Sequence, residues 1–287
     1  MFRVLILGSS GRFGSNCATE FVNRGHVVKA CDLSKDDLEK SVADAQFVIN
    51  GWNPPYDKWK KDIPQFTNQV IDALKRSKAK VIIPGNVYNF GENSQTPWGP
   101  SSPHLAKNPM GILRIEMEQA YKDAGVPTII LRSGDYLDTS ASGNWFDTVM
   151  AKNIKRGKFI YPDDPNALHS WAFLPDVARA VADLVECSHQ FSAFTDLTFR
   201  GYSVTGNDMA KCLSEVCGTE IKPAQFPWWQ VQLIKPFWPL APRLLEMRYL
   251  WDHPHELDDA ALCATLPSFQ YTPFRDAIGL AVKPLMN

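Results

Sequence analysis

The sequence predicts an α/β protein of the Rossmann type: a doubly wound parallel sheet with helices on both faces, and a smaller C-terminal substrate-binding region. Short apolar runs alternate with helical segments through the first half of the chain, and a glycine-rich turn follows the first run. The second half is less regular and rich in Trp and Pro. We place the Rossmann core at residues 1–135, with the segment near 165–187 returning to it, and the substrate-binding region at residues 136–287.

The predicted strands are apolar runs that end where glycine or polar residues begin, as expected for strands buried on both faces of a sheet. Because they alternate with helical segments, they favour a parallel sheet. They cover residues 2–7, 26–31, 46–50, 80–84, 128–132 and 171–174.

The predicted helices begin at capping residues or prolines, and several of them end at a glycine. Ser34 with Asp37, and Thr205 with Asp208, have the spacing of capping boxes, and Pro64 must kink or split the longest helix. The helices cover residues 14–24, 34–43, 56–78, 108–124, 144–155, 175–187 and 205–218.

The sharpest motif is a G-x-x-G-x-x-G loop between the first strand and the first helix. Glycine permits the tight turn, lets backbone N–H groups approach a pyrophosphate and packs the helix against the strand. The N-terminus of the helix offers that anion a favourable dipole and free N–H donors. We therefore predict a dinucleotide-binding loop formed by Gly8, Ser10, Gly11, Arg12, Phe13 and Gly14.

Asp32 supports this prediction, because it ends the second strand 18 residues after Gly14, near the spacing of a ribose-binding carboxylate. A carboxylate there accepts hydrogen bonds from the adenosine ribose hydroxyls and repels a 2′-phosphate, which favours NAD over NADP. Arg12 points the other way, since a guanidinium in the loop can pair with a 2′-phosphate. The predicted cofactor is NAD, with NADP as the alternative.

Three later segments carry a family resemblance: PGNVYNFG at residues 84–91, LRSGDY at 131–136 and WAFLPDVA at 171–178. With the glycine loop and the order of elements, they resemble the extended and atypical short-chain dehydrogenase/reductases, the NAD-dependent epimerase/dehydratase-like proteins, over nearly the whole chain. The resemblance implies a Rossmann core, a C-terminal substrate region and a nicotinamide cofactor at the carboxyl edge of the sheet. At that edge we expect contacts from Asn50, Gly51 and Trp52.

The catalytic residues of that family are altered here. Its enzymes have Ser or Thr where this chain has Asn86, and Y-x-x-x-K-x-x-x-E on the next helix, where this chain has Met110, Arg114 and Glu118. The family's tyrosine exchanges a proton with the substrate oxygen, which a thioether cannot do. The family's lysine lowers the pKa of that tyrosine and holds the nicotinamide ribose.

Three residues remain as catalytic candidates. Arg114 can still hold the ribose hydroxyls, and Asn86 can donate a hydrogen bond to a carbonyl. Tyr88 is the nearest replacement acid, on the expectation that it shares a strand face with Asn86. The predicted function is an NAD(P)-dependent oxidoreductase or epimerase acting on a small carbonyl or hydroxyl compound. The alternative is a non-catalytic NAD(P)-binding sensor, which the loss of the Tyr–Lys pair favours.

The C-terminal part holds a dense aromatic cluster between residues 228 and 251. Either it walls a pocket for an apolar substrate, or it packs a small lobe or a dimer contact. The acidic and histidine-rich stretch 252–259 is typical of the first turn of an amphipathic helix, so we predict no metal site there.

Composition excludes several classes of function. The chain has 287 residues and a net charge of −1, which argues against broad binding to nucleic acid or to an anionic membrane. No stretch approaches the length of a membrane span, and no signal-peptide core precedes the first glycine. The six cysteines include no C-x-x-C pair, which is typical of reduced thiols in a cytoplasmic protein. We expect a small-molecule substrate and a possible homodimer.

Overall fold

The computed structural model describes residues 1–33, 35–191 and 193–286. Its strands, in chain order, are β1 (Arg3–Leu7), β2 (Val27–Cys31), β3 (Phe47–Asn50), β4 (Lys80–Gly85), β5 (Thr128–Arg132), β6 (Asp135–Leu137), β7 (Lys158–Tyr161), β8 (Leu168–Phe173), β9 (Phe194–Thr198), β10 (Tyr202–Thr205) and β11 (Lys222–Gln225).

The main sheet has six parallel strands in the order β2-β1-β3-β4-β5-β9. From β1 the chain crosses to β2 on one side and then returns to β3 on the other, so the order reverses between β1 and β3. In open α/β sheets, ligands bind at the carboxyl ends of the strands beside such a reversal. The topology therefore predicts a ligand site at the residues that follow Leu7 and Asn50. The predicted fold class is confirmed.

Two smaller sheets lie beyond the main one. Strand β8 pairs with β6 and β10, and β7 pairs with β11. The predicted strand at residues 171–174 is therefore real, but it belongs to the second sheet and ends before Leu174, which begins a helix. The sixth strand of the main sheet is β9, which the sequence analysis missed.

The helices are α1 (Arg12–Asn23), α2 (Leu38–Ala43), α3 (Trp59–Lys75), α4 (Pro109–Asp123), α5 (Leu174–Glu186), α6 (Gly206–Cys217), α7 (Trp228–Ile234), α8 (Ala241–Glu246), α9 (Ala260–Thr265) and α10 (Phe274–Met286). Short 3-10 or π turns cover Tyr56–Lys58, Phe146–Met150, Ile154–Arg156, Ser188–Gln190 and Arg248–Trp251. Among the described residues, no helix is long and apolar enough to cross a membrane.

The predicted capping box at the start of α6 is confirmed. Thr205 and Asp208 form the capping box of α6, and Gly218 ends that helix with a φ of 66°. Helix α2 is instead capped by Asp37, whose side chain accepts a hydrogen bond from the backbone N–H of Lys40. Ser34, the other half of that predicted box, lies outside the described residues.

Three helix predictions were wrong in extent. Residues 144–155 form a π turn and a 3-10 turn rather than one helix. The long helix begins at Trp59 and is not split at Pro64, which lies inside it. The stretch 252–259 is not helical, because its backbone bonds to Trp98: the Trp98 N–H donates to Glu256 O at 2.8 Å, and the Asp258 N–H donates to Trp98 O at 2.8 Å.

Three apolar cores organise the molecule. Helices α3 and α4 cover one face of the main sheet, and α1 and α5 cover the other. The third core lies in the C-terminal part, where α6 and α10 pack with β7 and β8. Burial of these apolar faces is the main driving force for this arrangement.

A buried arginine connects the elements at the carboxyl end of the main sheet. The Arg132 side chain is fully buried, and its guanidinium donates to both carboxylate oxygens of Glu118 at 3.1 and 2.9 Å. It also donates to Asp196 Oδ2 and to the carbonyl oxygen of Asn86, both at 2.7 Å. Burial alone would raise the pKa of Glu118, but the charge and hydrogen bonds of Arg132 lower it. We call these four residues the Arg132 network.

We predict that Arg132→Met lowers the free energy of unfolding by about 3–5 kcal/mol, because the buried carboxylates of Glu118 and Asp196 then lose the guanidinium that both of them bind. The measurement is equilibrium urea denaturation. The matched control is Arg76→Met, which removes an ion pair with Glu39 in which both side chains are more than half exposed. That variant should lose no more than about 1 kcal/mol. Equal losses in the two variants would contradict the assigned role of Arg132.

Candidate active site

A large cavity lies at the carboxyl edge of the main sheet, beside the point where the strand order reverses. Its volume is about 710 Å³, within the usual range for small-molecule and cofactor sites. Its wall combines the loop after β1, the residues after β3, the end of β4, one face of α4 and the segment after β5. Elements that are remote in sequence thus enclose one space.

The cavity gathers most of the predicted site residues. Those that line it are Gly8, Ser10, Gly11, Arg12, Phe13, Asn50, Gly51, Trp52, Asn86, Tyr88 and Arg114. Gly14 and Asp32 do not line it. Gly14 packs inside the loop, whereas Asp32 lies outside the cavity.

The three glycines of the loop differ in how much space a side chain would have. A Cβ on Gly14 would lie 2.2 Å from the carbonyl oxygen of Gly8, so no side chain fits there without moving backbone. Gly8 has a φ of 73°, and a Cβ on it would lie 2.7 Å from the backbone nitrogen of Trp52. Gly11 is less confined, since the nearest atom to a Cβ on it is Gly8 O at 3.2 Å. Gly8 and Gly14 therefore pack the loop, and Gly11 forms cavity wall.

The N-terminus of α1 faces this loop without a side-chain cap. The carbonyl of Gly11, the N-cap, accepts the first helical hydrogen bond from Ser15 N at 2.8 Å, and no side-chain cap bonds to the N–H groups of the first turn. The first turn also has no acidic residue. Its N–H groups and the positive end of the helix dipole are therefore available to an anionic ligand such as a pyrophosphate.

Arg12 connects the two sides of the cavity. Its Nη2 donates to the carbonyl oxygen of Gly143 at 2.7 Å and to that of Ser142 at 3.4 Å. Ser140 and Ser142 line the same cavity. The guanidinium is thus held at residues 142–143, and this position gives no support to the predicted role of Arg12 at an adenosine 2′-phosphate.

Asp32 lies directly after β2, whose last residue, Cys31, is the register partner of Leu7. It therefore comes beside the start of the glycine loop, as a ribose-binding carboxylate must. Its Oδ2 is 2.7 Å from Nζ of Lys35, and about half of its side chain is exposed. The cation paired with this carboxylate is Lys35 rather than Arg12.

Three polar atoms in the cavity wall are buried and lack a partner among the described residues. They are Asn50 Oδ1, Arg114 Nε and Ser142 Oγ. Asn50 Nδ2 donates to the hydroxyl of Tyr121 at 3.2 Å, and Arg114 Nη2 donates to the carbonyl of Pro84 at 2.7 Å. Burial lowers the pKa of Arg114, and Glu118 opposes that shift. Buried polar groups are rarely left unpaired, so these atoms mark places for a polar ligand.

Met110, at the position of the family's tyrosine, belongs to the apolar core. Its side chain is buried among the residues of α3 and α4 and does not line the cavity. Its backbone N–H donates to Oε1 of Glu246 at 2.6 Å. No proton-exchanging group therefore stands at this position.

Asn86 and Tyr88 both line the cavity, but the expectation that they share a strand face was wrong. Strand β4 ends at Gly85, and Asn86 Oδ1 accepts a hydrogen bond from the backbone N–H of Tyr88 at 3.1 Å, which forms a turn. The Tyr88 hydroxyl is 2.9 Å from that of Tyr56. Burial raises the pKa of Tyr88 well above its usual value and also raises that of Tyr56. Both phenols are therefore neutral hydrogen-bonding groups.

Sequence reasoning missed several residues of the wall. Asp135 and Tyr136 line the cavity, and both lie in the LRSGDY segment, so their position after β5 could have identified them. Tyr56, Trp59 and Phe66 also line it, but only the packing of α3 against the residues after β3 reveals them. The sequence contains no short-range signal for that packing.

The aromatic cluster serves more than one purpose. A side pocket of about 20 Å³, enough for about one water, shares three wall residues with the main cavity. It is lined by Tyr56, Tyr88, Asp135, Trp145, Leu244, Met247, Leu250 and Trp251. Trp228 and Trp251 are also part of the third core, whereas 67% of Trp229 and 89% of Phe237 are exposed. Part of the cluster thus walls a pocket, and part packs the C-terminal region.

One cluster in the described part of the chain has the composition of a metal site. Ligand atoms of His104, Glu118 and Asp196 lie within 4.8 Å of one another. The guanidinium of Arg132 donates to both carboxylates, so a positive charge already lies where a cation would be needed. The absence of a metal site remains a prediction.

The whole chain is similar to solved structures of sugar-nucleotide enzymes. MoeE5 in complex with UDP-glucose and NAD matches at 15% identity with a TM-score of 0.75, covering 99% of this chain and 98% of that chain. UDP-glucuronic acid 4-epimerase from Bacillus cereus, in complex with UDP-glucuronic acid and NAD, matches at 15% identity with a TM-score of 0.75, covering 99% of both chains. The NAD-dependent NDP-hexosamine 5,6-dehydratase TunA, involved in tunicamycin biosynthesis, matches at 14% identity with a TM-score of 0.76, covering 100% of this chain and 98% of that chain.

No protein-family model matches the chain, and no curated protein matches its sequence. The structural likeness confirms the fold that the motif resemblance implied: this chain has the fold of NAD-dependent epimerases and dehydratases of sugar nucleotides. At this identity the likeness carries the fold alone. The residues of the cavity must therefore carry any argument about function.

We predict that Gly14→Ala destabilises the protein although Gly14 lies in a helix, where alanine is normally better than glycine. The Cβ would collide with the Gly8 carbonyl, and overpacking of this kind costs about 1–3 kcal/mol. The control is Gly279→Ala in α10, where the nearest atom to the new Cβ is 3.8 Å away. That variant should gain up to about 1 kcal/mol. Thermal unfolding of both variants measures the signs, and a stabilised Gly14→Ala protein would contradict the loop packing.

Proposed function

We propose that this protein binds NAD(H) along the cavity and is an oxidoreductase or epimerase acting on a small carbonyl or hydroxyl compound at the far end. One observation carries the proposal. A single cavity joins the uncapped N-terminus of α1, which suits a pyrophosphate, to the hydrogen-bonding groups of Asn86, Tyr88 and Asp135. This is the combination that a dinucleotide and a reacting substrate require together.

The fit of a dinucleotide rests on the residues along the cavity. The pyrophosphate lies against Gly11 and the first turn of α1, and the adenosine ribose lies toward Asp32. The unpartnered Asn50 Oδ1 and Arg114 Nε are the polar atoms for the remainder of the cofactor. Neighbours of the same fold were solved with NAD, which supports NAD as the cofactor of this chain.

Bound nicotinamide supplies or accepts a hydride. The residues of the chain bind and polarise the substrate around that transfer. Asn86 Oδ1 is engaged by Tyr88 N, so only the NH2 group of Asn86 is left to donate to a substrate oxygen. In the Tyr56–Tyr88 pair one hydroxyl donates to the other, which leaves one O–H for the ligand. Arg114 contributes a positive charge to the wall of the same cavity.

Sugar nucleotides are the first substrate class to test, because neighbours of the same fold were solved in complex with UDP-glucose and UDP-glucuronic acid. The side pocket has room for about one water and gives no sign of an apolar substrate group, so the proposed reaction on a small carbonyl or hydroxyl compound also covers substrates that are not sugars. A panel therefore needs aldehydes, ketones and quinones beside the sugar nucleotides.

A second candidate function is a non-catalytic NAD(H) sensor. The specific observation in its favour is Met110, which fills the position of the family's tyrosine with a core side chain. The two functions differ in turnover, not in binding. Absorbance of NADH over the substrate panel distinguishes them: a turnover number of about 1–10³ per second establishes an enzyme. Tight binding without turnover on every member of the panel supports the sensor.

We predict that Gly11→Val weakens NADH binding at least tenfold, because its side chain enters the cavity where the pyrophosphate must approach the backbone. Fluorescence titration of NADH measures the effect. Gly279→Val, remote from the cavity, is the control and should bind NADH like the wild type. Equal affinities for Gly11→Val and wild type would overturn the assignment of the loop.

We predict that NADH binds more tightly than NADPH by roughly 1–3 kcal/mol, about tenfold to 150-fold, because Asp32 accepts from the ribose hydroxyls and repels a 2′-phosphate. Asp32→Ala should remove most of this ratio. Lys35→Ala should widen it, since Lys35 is the cation beside Asp32.

Arg12→Ala should leave the ratio of the two affinities unchanged, because the Arg12 guanidinium is bonded at residues 142–143. The measurement is the NADH to NADPH affinity ratio of wild type and all three variants at one ionic strength. A wild-type preference for NADPH that disappears in Arg12→Ala would show that Arg12, not Asp32, decides the choice.

A further inference from the structure

A carboxylate–histidine pair lies in the cavity wall at the substrate end. Asp135 in β6 lines both the main cavity and the side pocket, and about a third of its side chain is exposed. Its Oδ2 is 2.8 Å from Nε2 of His169 in β8, whose side chain is almost fully buried. The parallel pairing of the two strands places Asp135 opposite Trp171, so His169, two residues earlier, lies diagonally on the same face.

The hydrogen bonds of His169 determine how many protons this pair holds. Nδ1 of His169 is 3.2 Å from the carbonyl oxygen of Leu250, which can only accept, so Nδ1 carries a proton. The contact between Nε2 and Asp135 Oδ2 needs a second proton, because an imidazole lone pair and a carboxylate would otherwise face each other. The pair is either imidazolium with carboxylate or imidazole with carboxylic acid. In both forms it is neutral overall and holds one proton that it can release.

The imidazole of His169 packs between two other rings. The indole of Trp251 stacks on the imidazole, with centroids 4.2 Å apart and 4° between the planes, which suits a cation. The ring centroid of His255 is 4.5 Å from that of His169. Its Nδ1 is 2.9 Å from the carbonyl of His253, and its Nε2 is 3.5 Å from the N–H of Ser170, so it is satisfied as a neutral ring. Burial lowers the pKa of His255 well below its usual value, and His169 lowers it further.

Several of the titratable groups near Asp135 are phenols. Tyr56 and Tyr88 share the side pocket with it, and Tyr161 in β7 is close enough for Asp135 to affect its pKa. Burial raises the pKa of each of these phenols, so they stay protonated near neutral pH. His253 is the other ionisable group beside the His169–His255 contact. Among the described groups at this end of the cavity, the Asp135–His169 pair combines access to the cavity with a carboxylate that a histidine supports.

We propose that Asp135, backed by His169, is the acid–base residue of this site and exchanges a proton with the substrate oxygen. Asp135 lines the cavity and is the catalytic candidate, whereas His169 acts through Asp135 and is a positioning residue. The inference rests on the proposed function, because a substrate oxygen must reach this wall. It also accounts for the loss of the family's tyrosine at Met110, since the proton comes from another element of the fold.

The proton and electron balance is that of a carbonyl reduction. The carbonyl carbon receives a hydride from the reduced nicotinamide, and the π electron pair of the C=O bond moves to oxygen. That oxygen takes the proton from the Asp135–His169 pair and becomes a hydroxyl, while the cofactor becomes NAD⁺. The pair is left with a net charge of −1 and regains a proton from water. In the oxidative direction the same pair accepts the hydroxyl proton.

The test combines nitrogen NMR of the His169 ring with kinetics. In the wild type near pH 7, we expect His169 to have a proton on Nδ1 and to share a second proton at Nε2 with Asp135. In Asp135→Asn the ring should become a neutral Nδ1–H tautomer across the range from about pH 6 to 8. A wild-type ring whose only proton is on Nε2 would overturn the proposal without any activity assay.

Kinetics with a substrate from the panel test the catalytic role. Asp135→Asn should reduce kcat by roughly 10²–10⁴-fold and leave the Kd for NADH within about twofold. Asp72→Asn, an exposed carboxylate on α3, should change neither and is the matched control. His169→Phe keeps a ring against Trp251 and should alter the pH profile of kcat, which a structural role alone would not do.

The two levels of the proposal fail differently. Wild-type protein that does not bind NADH overturns the proposed function. NADH binding and turnover with an unchanged kcat in Asp135→Asn overturns only the role of Asp135. NADH binding with no turnover on the whole panel contradicts both the oxidoreductase and the acid–base residue. Circular dichroism of each variant confirms that it has the wild-type fold.

Discussion

The end of the cavity that Asn86 and Tyr88 line depends on one buried charge, the guanidinium of Arg132. Its desolvation is unfavourable, and it is tolerated because carboxylates and a carbonyl surround it at hydrogen-bond distance. These acceptors come from three places: α4, strand β9 and the turn after β4. By bonding to the carbonyl of Asn86, Arg132 holds the turn that carries Asn86 and Tyr88 into the cavity. The position of the polar wall thus follows from satisfying a charge that faces no solvent.

The cofactor end depends on a different constraint, which is the close approach of backbones. Gly8 and Gly14 are so close that a single methyl group on Gly14 would reach the carbonyl of Gly8. This contact fixes the start of α1 over the loop and leaves the first N–H groups open. Sterics therefore shape one end of the cavity and electrostatics the other. Arg12 joins the two, because it starts in α1 and donates to the carbonyls of residues 142 and 143.

Local sequence signals predicted the elements whose causes are local. The apolar runs of β1 to β5, the glycine loop and the capping box of α6 are each explained by residues a few positions apart. Strand β9 reads FTDLT, with alternating polar residues, and it becomes a sheet strand only through its parallel pairing with β5. The stretch 252–259 is shaped by its hydrogen bonds to Trp98, which lies more than 150 positions earlier. No periodicity within those residues could reveal that partner.

The same distinction separates the predicted site residues from the missed ones. The spacing of the glycine loop predicted residues that do line the cavity, because the turn after β1 is determined by residues a few positions apart. The Asp135–His169 pair joins positions 34 apart through the pairing of β6 with β8, and the proton count depends on a carbonyl a further 81 positions along the chain. Tyr88 was identified, but its hydroxyl partner Tyr56 was not, since only the fold brings them together. Long-range geometry thus decided the chemistry of the wall, while short motifs decided the cofactor loop.

The central claim is that one cavity places a dinucleotide and a proton-exchanging wall together. A crystal structure with NADH tests it most directly. We expect the pyrophosphate at Gly11 and the first turn of α1, the adenosine ribose at Asp32, and the nicotinamide at the end lined by Asn86, Tyr88 and Asp135. NADH bound elsewhere on the protein, or bound in this cavity with its nicotinamide at Asp32 and its adenine at Asp135, would contradict the account.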